Sequence, residues 1–226
     1  MPPVQDRRAE APLQLVVCGT DTDVGKTVVS ALLVQGLEAH YWKPVQCGLE
    51  GGGDSGRIRT LLDLPAERLL PEAYRLTAPA SPHWAAELES GDPERPGPPI
   101  DPARLALPAA AGRLVVECAG GLLVPLRRDL LQIDQIRRWG LPVLLVARSG
   151  LGTLNHTLLS VEALRRRGIP LLGLVLNGPP HANNTATLEE LSGAPVLACL
   201  PPLATINRTT LAEQWRRQNL AHKLLG

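Results

Sequence analysis

The 226-residue chain contains no phenylalanine, two tyrosines and four tryptophans. With aromatics at 3% of the sequence, its core has to be built from Leu, Val, Ile and Ala. Lysine is scarce too: Lys26, Lys43 and Lys223 are the only ones, and every other basic residue is an arginine. An ammonium is a compact point charge and a guanidinium a broad planar fork, so positions where an Arg-rich chain keeps Lys attract attention. Excess charge is absent, since 23 basic residues face 22 acidic ones. That balance gives no global pull toward nucleic acid or anionic lipid. No apolar run approaches the ~20 residues that span a bilayer. Residues 1–12 are polar, charged and proline-containing, unlike a signal peptide, and are expected to be a flexible segment. These absences predict a cytoplasmic protein with no membrane or nucleic-acid partner. Cys18, Cys47, Cys118 and Cys199 show no Cys-x-x-Cys spacing, so a metal finger is not expected. Cys18, Cys118 and Cys199 lie in or just after apolar runs and suit small core positions.

Apolar residues make up 44% and charged residues 20%, close to the globular average. At about 150 residues per domain, one α/β domain over 1–226 is the simplest organisation. Continuous apolar runs at Leu13–Cys18, Leu114–Val116, Val143–Ala147, Leu171–Leu176 and Val196–Leu200 suit strands covered on both faces. Between them lie helix-compatible stretches at Lys26–Glu38, Asp101–Ala111, Leu130–Trp139 and Thr153–Arg167. Gly140 with Pro142, and Gly168 with Pro170, end the last two. The alternation predicts a doubly wound, mostly parallel sheet flanked by helices. Gly91–Pro102 is a loop by composition, and an amphipathic helix is expected from Arg208, carrying Leu211, Trp215 and Leu220.

The segment Gly19-Thr20-Asp21-Thr22-Asp23-Val24-Gly25-Lys26-Thr27 follows the first strand and opens a helix. That is the setting of a phosphate-binding loop, where backbone N–H groups and the helix dipole favour anions. Gly25 lets the backbone approach, Lys26 suits the terminal phosphates, and the Thr27 hydroxyl suits Mg²⁺. Five residues rather than the usual four separate Gly19 from Gly25. Two carboxylates are candidates for the same cation. Asp54 lies in a glycine-rich turn before a possible helix, and Glu117 ends an apolar run, where an acid faces the crevice of a parallel sheet. Asp54 is equally compatible with a helix cap, Glu117 with a solvated strand end, and Lys43, in a short strand before Pro44, with a surface charge. Lys223 looks like a plain surface charge.

The chain resembles the dethiobiotin synthetase family. The resemblance rests on GTDTDVGKT (19–27), KPVQCG (43–48), ASPH (80–83), VECAGGLLVPL (116–126), LPVLLVA (141–147), GLGTLNHTLLSVEALRRRGI (150–169) and GLVLN (173–177). It implies ATP-dependent carboxylation of 7,8-diaminopelargonate with CO₂, phosphorylation of the carbamate and closure of a cyclic urea. On this likeness Lys26 bridges phosphate and carbamate, Lys43 contacts the carbamate and γ-phosphate, and Thr22 lines the catalytic site. Thr27, Asp54 and Glu117 hold Mg²⁺. Asp23, Val24, Gly25, Val28, Cys118, Ala119 and Gly120 border ATP. Asn177, Gly178, Pro201, Pro202 and Leu203 lie around its adenine. Cys47 and the helix end formed by Gly150, Gly152, Thr153, Leu154 and Asn155 bind the substrate, the helix end coming from the other subunit of a homodimer. Asn155 and His156 also suit helix capping and packing, and Ser81-Pro82-His83 suits a helix start.

This chain departs from the family at four places. Cys47 stands where Ser is usual, Cys118 where Gly is usual and Asp23 where Glu is commoner, and the segment between the first helix and Lys43 is a few residues shorter than usual, which bears on where the second strand lies. A Cys at 118 is strained if that backbone needs positive φ. Other possibilities for such a P-loop are an amide-forming synthetase with a glutaminase domain, a partitioning or septum-positioning ATPase switch, and a nucleotide-binding regulatory module. The first needs a longer chain. The second usually carries an extra lysine early in the loop, where this chain has Thr20, Asp21, Thr22 and Asp23.

Overall fold

A computed structural model describes residues 13–89, 91–92, 97–109 and 112–226; the expected flexible segment 1–12 lies outside them. The chain enters β1 (Gln14–Gly19) and turns into α1 (Lys26–Gly36). It continues through β2 (His40–Trp42), β3 (Val45–Cys47) and α2 (Gly53–Leu62). Next come β4 (Leu69–Leu70), β5 (Tyr74–Leu76), α3 (Pro82–Leu88) and β6 (Leu114–Gly121). After β7 (Pro125–Arg127) and β8 (Leu130–Leu131) follow α4 (Gln132–Trp139), β9 (Val143–Arg148) and α5 (Thr153–Arg166). The last elements are β10 (Leu171–Asn177), α6 (Ala182–Ser192), β11 (Val196–Leu200), α7 (Arg208–Arg217) and α8 (Leu220–Leu225).

Seven strands form one sheet in the order β11-β10-β9-β1-β6-β2-β4. Every neighbouring pair in it is parallel. The expected doubly wound sheet is therefore present, and both of its faces are covered. Along β1, Val16 and Cys18 join one core cluster while Leu15 and Val17 join the other. The first cluster packs under α3, α4 and α5, and the second under α1, α2 and α7. With both faces dry, β1 needs no polar alternation. Because β1 and β6 are parallel, with Val17 opposite Glu117 and, after a shift in register, Gly19 opposite Gly121, the P-loop and Glu117 lie at the same edge of the sheet.

Three expectations are corrected. The helix expected over Asp101–Ala111 is absent from its described residues 101–109, where a single 3₁₀ turn covers Pro102–Leu105, capped by Asp101; residues 110 and 111 lie outside the described ones. Pro108 removes a donor and pushes Leu107 out of helical conformation, which stops further winding. Leu130 and Leu131 pair with β7 as a strand, so α4 begins at Gln132. Lys223 is exposed, but its ammonium donates to Leu197 O at 2.6 Å and so ties α8 to β11. The helix expected from Arg208 is α7, broken from α8 by Asn219 in a left-handed conformation. Cys118 has no positive φ, so its side chain is accommodated without strain.

Candidate active site

A cavity of about 830 Å³ opens beside the P-loop at the carboxyl edge of β1, β6 and β2. Its walls carry Thr22, Gly25, Lys26 and Thr27 from the loop, Lys43 and Cys47 from the β2–β3 region, Asp54 and Arg57 from α2, and Glu117 and Ala119 from β6. The run Tyr41–Gly48 is divided at Pro44. Its first part pairs with β6, and its second pairs in parallel with β5 in a separate two-stranded sheet. A proline has no N–H for the ladder, so the division falls where the chain cannot continue one strand. Lys43 is thereby left at the junction, 3% exposed, aimed across β6.

The Lys43 ammonium lies 2.8 Å from Asp54 Oδ2, 3.1 Å from Glu117 Oε1 and 3.2 Å from Cys118 O. Three acceptors therefore meet its three N–H donors. Burial acts to lower its pKa, but the Glu117 and Asp54 carboxylates outweigh that and hold it above the ordinary lysine range. Asp54 is moved the other way: burial raises it, the Lys43 charge and hydrogen bond lower it more, and its carboxyl stays ionised below its usual range. Thr27 Oγ1 stands 2.9 Å from Asp54 Oδ1 and 3.0 Å from Glu117 Oε1. A hydroxyl has one proton, so it satisfies only one of the two carboxylates at a time. A cation would satisfy both and accept the hydroxyl oxygen as a ligand. This all-oxygen donor set suits Mg²⁺, which takes one or two carboxylates and completes its shell with phosphate oxygens and water. Among the described residues no group of three His, Cys, Asp or Glu side chains is placed to hold a metal by itself.

Lys26, 7% exposed, donates to Asp21 O at 2.9 Å within its own loop. Burial, and then the nearby Lys43 charge, lower its pKa. Two ammonium groups are thus held close together in one cavity, a setting that favours a polyanionic ligand. Gly25 caps α1 with φ +95°, and a Cβ there would lie 1.9 Å from Asn177 Nδ2. Asn177 in turn donates to Val24 O at 3.0 Å. Asp23 adopts φ +55°, which Asp tolerates better than most residues.

The remaining expected residues fall into separate groups. Val28, Cys47 and Gly120 line the cavity with Asp23. Burial raises the Cys47 thiol to about 11. Val24 and Cys118 are buried in the two cores and face the site only through backbone. Asn177, Gly178 and Pro201–Leu203 come together at the ends of the paired strands β10 and β11, where Gly178 N donates to Leu200 O. They flank the P-loop outside the main cavity. Gly150, Gly152, Leu154 and Asn155 are also outside it, at the start of α5, and the Thr153 hydroxyl is turned inward to Arg148 O.

Sequence reasoning missed three residues. Gln46 receives the Asp54 N–H at 2.9 Å and donates to Cys47 O and Gly48 O, which locks the start of α2 against β3. Tyr41 donates to Glu117 Oε2. Arg57, one turn beyond Asp54, places an exposed guanidinium on the cavity wall. Only Gln46 had a local signal, as a polar residue inside the Lys43–Gly48 motif.

A strand–loop–helix whose lysine and threonine face two carboxylates from α2 and β6 defines a P-loop nucleotide-binding domain. The profile of a family described as an AAA domain matches residues 13–210. The fold agrees: a ParA family ATPase from Chlorobium tepidum superposes with a TM-score of 0.51 at 13% identity, covering 94% of this chain and 92% of that one. The septum site-determining protein MinD of Pyrococcus horikoshii, solved with Mg-ADP, gives 0.51 at 15% identity over 93% and 85%. Sequence likeness is closer elsewhere. The ATP-dependent dethiobiotin synthetase of Rhodopseudomonas palustris (strain BisB18) is 51% identical over 198 residues, 88% of this chain and 91% of its own. That of Novosphingobium aromaticivorans is 48% identical over 198 residues, 88% and 92% of the two chains. The chain belongs to the dethiobiotin synthetase family.

Proposed function

We propose that this chain is an ATP-dependent ligase that converts 7,8-diaminopelargonate, CO₂ and ATP to dethiobiotin, ADP and phosphate, a step of biotin biosynthesis. The observation that carries the reading is the meeting of Lys43, Asp54, Glu117 and Thr27 beside the P-loop, in a chain half identical to enzymes of that name. In the reaction an amine adds to CO₂ and loses a proton, giving a carbamate. The carbamate oxygen attacks the γ-phosphorus and releases ADP. The second amine then attacks the carbamoyl carbon and expels phosphate, closing the urea.

The difficulty is bringing a carbamate to a triphosphate, both anionic. Loop N–H groups at the start of α1 bind the phosphates, and Lys26 exchanges Asp21 O for a phosphate oxygen. Lys43 places its charge between γ-phosphate and carbamate, where it stabilises the charge that moves during transfer. Mg²⁺ held by Thr27, Asp54 and Glu117 would neutralise and orient phosphate oxygens. Thr22 borders the same space, and Cys47 offers the substrate a thiol contact. Asn177, Gly178 and Pro201–Leu203 take the adenine end. We place the domain as one unit over 1–226, acting in the cytoplasm. It works as a homodimer in which the partner's α5 N-terminus supplies N–H groups to the substrate carboxylate. This arrangement fits the absence of Gly150–Asn155 from the walls of their own chain's cavity and the full exposure of Leu151. Among the described residues no helix is long and apolar enough to cross a membrane.

The test is incubation with 7,8-diaminopelargonate, ¹³C-bicarbonate, Mg²⁺ and ATP. Dethiobiotin carrying one ¹³C is expected, with one ADP per product. ATP hydrolysis without that product would overturn the reading.

A further inference from the structure

We propose that Tyr41 is a positioning residue for Glu117, turning that carboxylate so that a single oxygen faces the cation and phosphate side of the site. The proposal rests on the cation reading above. Tyr41 and Glu117 sit on neighbouring strands and on the same face of the sheet. Tyr41 is opposite Val115 in the register of β2 and β6, and both belong to the core under α1 and α2. Glu117 is two residues further along β6, about 6.6 Å of strand rise, a distance a phenol reaches and shorter side chains do not. The hydroxyl arrives at Glu117 Oε2 at 3.0 Å. Trp42, one residue on, points to the opposite face, where its ring packs tilted against Trp139 at 5.9 Å between centroids and donates to Pro71 O.

The two oxygens of Glu117 are consequently divided between two sets of partners. Oε1 meets Lys43 and Thr27; Oε2 meets only the Tyr41 hydroxyl among the described residues. Both side chains are 0% exposed, so water does not replace that donor. Without it the carboxylate is fixed through Oε1 alone, and the second oxygen is left buried without a donor at a penalty. Groups of this kind, one bond behind a metal ligand, typically change metal affinity 10–100-fold when removed. Phenylalanine would fill the same volume and lack the donor. In a chain with no phenylalanine and two tyrosines, a fully buried phenol under the site is a rare residue in an informative place.

The test uses the full chain with a non-hydrolysable ATP analogue, and Mn²⁺ as the cation because its free form is counted by electron spin resonance. Tyr41→Phe is expected to weaken Mn²⁺ binding about 10-fold or more. Product formation should shift to higher free Mg²⁺ by the same factor. The kcat at saturating Mg²⁺ and the KM for 7,8-diaminopelargonate should stay within about twofold. Replacing Tyr41 by 4-aminophenylalanine, which restores an N–H donor on the same ring, is expected to return Mn²⁺ binding to wild-type strength. A Tyr41→Phe enzyme with unchanged Mn²⁺ affinity, whatever its melting temperature, would overturn the proposal, and so would failure of the amino analogue to rescue it. Wild-type enzyme that binds the nucleotide analogue but no Mn²⁺ would instead remove the cation reading and this inference with it.

Discussion

Replacing Lys43 by Met keeps most of the side chain's volume and deletes the ammonium between two carboxylates. Glu117 is fully buried and the Asp54 side chain is 20% exposed, so the loss leaves one carboxylate with no route to water and one with little. Removing one partner of a buried ion pair costs about 3–5 kcal/mol. For a domain of this size about 2–4 °C of melting temperature accompanies each kcal/mol, which gives a fall of about 6–20 °C at pH 8 without divalent cation. The sign with pH follows from linkage. In the wild type Lys43 lowers Asp54 below its unfolded value, so that stability is present above about pH 4 and is lost as the pH falls through the folded pKa. In the variant the largest influence lowering the Asp54 pKa is gone, so burial moves its carboxyl upward against only the Thr27 hydrogen bond and the Arg57 charge. Protonated Asp54 is tolerated, so the deficit is smallest at low pH and grows as the pH rises through the folded pKa. Scanning calorimetry at pH 4.5 and pH 8 measures both ends. Millimolar Mg²⁺ should recover part of the loss at pH 8 in the variant and change the nucleotide-free wild type far less, because in the wild type Lys43 already neutralises the pair. A variant as stable as wild type at pH 8, or a deficit that shrinks as pH rises, would refute the reasoning.

Lys43→Arg keeps the charge but cannot bring three donors to one point, so turnover should fall about 100-fold while ADP binding by calorimetry stays near wild type. Near-normal turnover would remove Lys43 from the reaction. Cys47, with its thiol raised to about 11 by burial, should react with iodoacetamide at a rate that climbs about tenfold per pH unit through pH 8–10, as mapped by peptide mass; a plateau near pH 8.5 would contradict that environment. Cys47→Ser should leave the KM for 7,8-diaminopelargonate unchanged or lower it, since a hydroxyl is the better hydrogen-bond partner, and a raised KM would count against a substrate contact at 47. Gly25→Ala forces a left-handed alanine into Asn177 and breaks its bond to Val24, so ADP affinity should drop about tenfold or more, at ~1–3 kcal/mol of strain.

How legible these features are depends on whether local or distant residues create them. β1, β9, β10 and β11 stand out as apolar runs because the sheet is covered on both faces. The P-loop stands out because its glycine, lysine and threonine are adjacent in sequence. By contrast α6 (Ala182–Ser192) gave no periodic signal: among its described side chains Leu188 is the one fully buried apolar residue, and its buried Asn184 is held by Ser149 O. The 3₁₀ turn at Pro102–Leu105 looked like the start of a longer helix because a proline suits the first turn, while the second proline, Pro108, decides the outcome. Asp54 and Glu117 were legible as candidates from their positions after a glycine turn and at a strand end. Their mutual distance was not, because it depends on β2 lying beside β6. Tyr41 was out of reach for the same reason: its role is set by register across two strands that are more than seventy residues apart.

The shortage of lysine follows a related logic. Lys43 sits among three acceptors at 2.8, 3.1 and 3.2 Å that come from a helix, a strand side chain and a strand carbonyl. Such acceptors surround a point, and an ammonium can aim three N–H groups at them, whereas a guanidinium offers its donors in one plane. Lys26 meets Asp21 O beneath the loop and Lys223 meets Leu197 O at the end of α8, again single acceptors reached by a slender terminus. Arg128 shows the planar alternative, meeting both oxygens of Glu87 side by side, while Arg104 and Arg113 reach single carbonyls, Ala73 O and Leu37 O. In the proposed reaction the geometry at Lys43 has a chemical consequence: a charge that swivels among three partners would leave them for a phosphate or carbamate oxygen without the side chain having to be rebuilt around it.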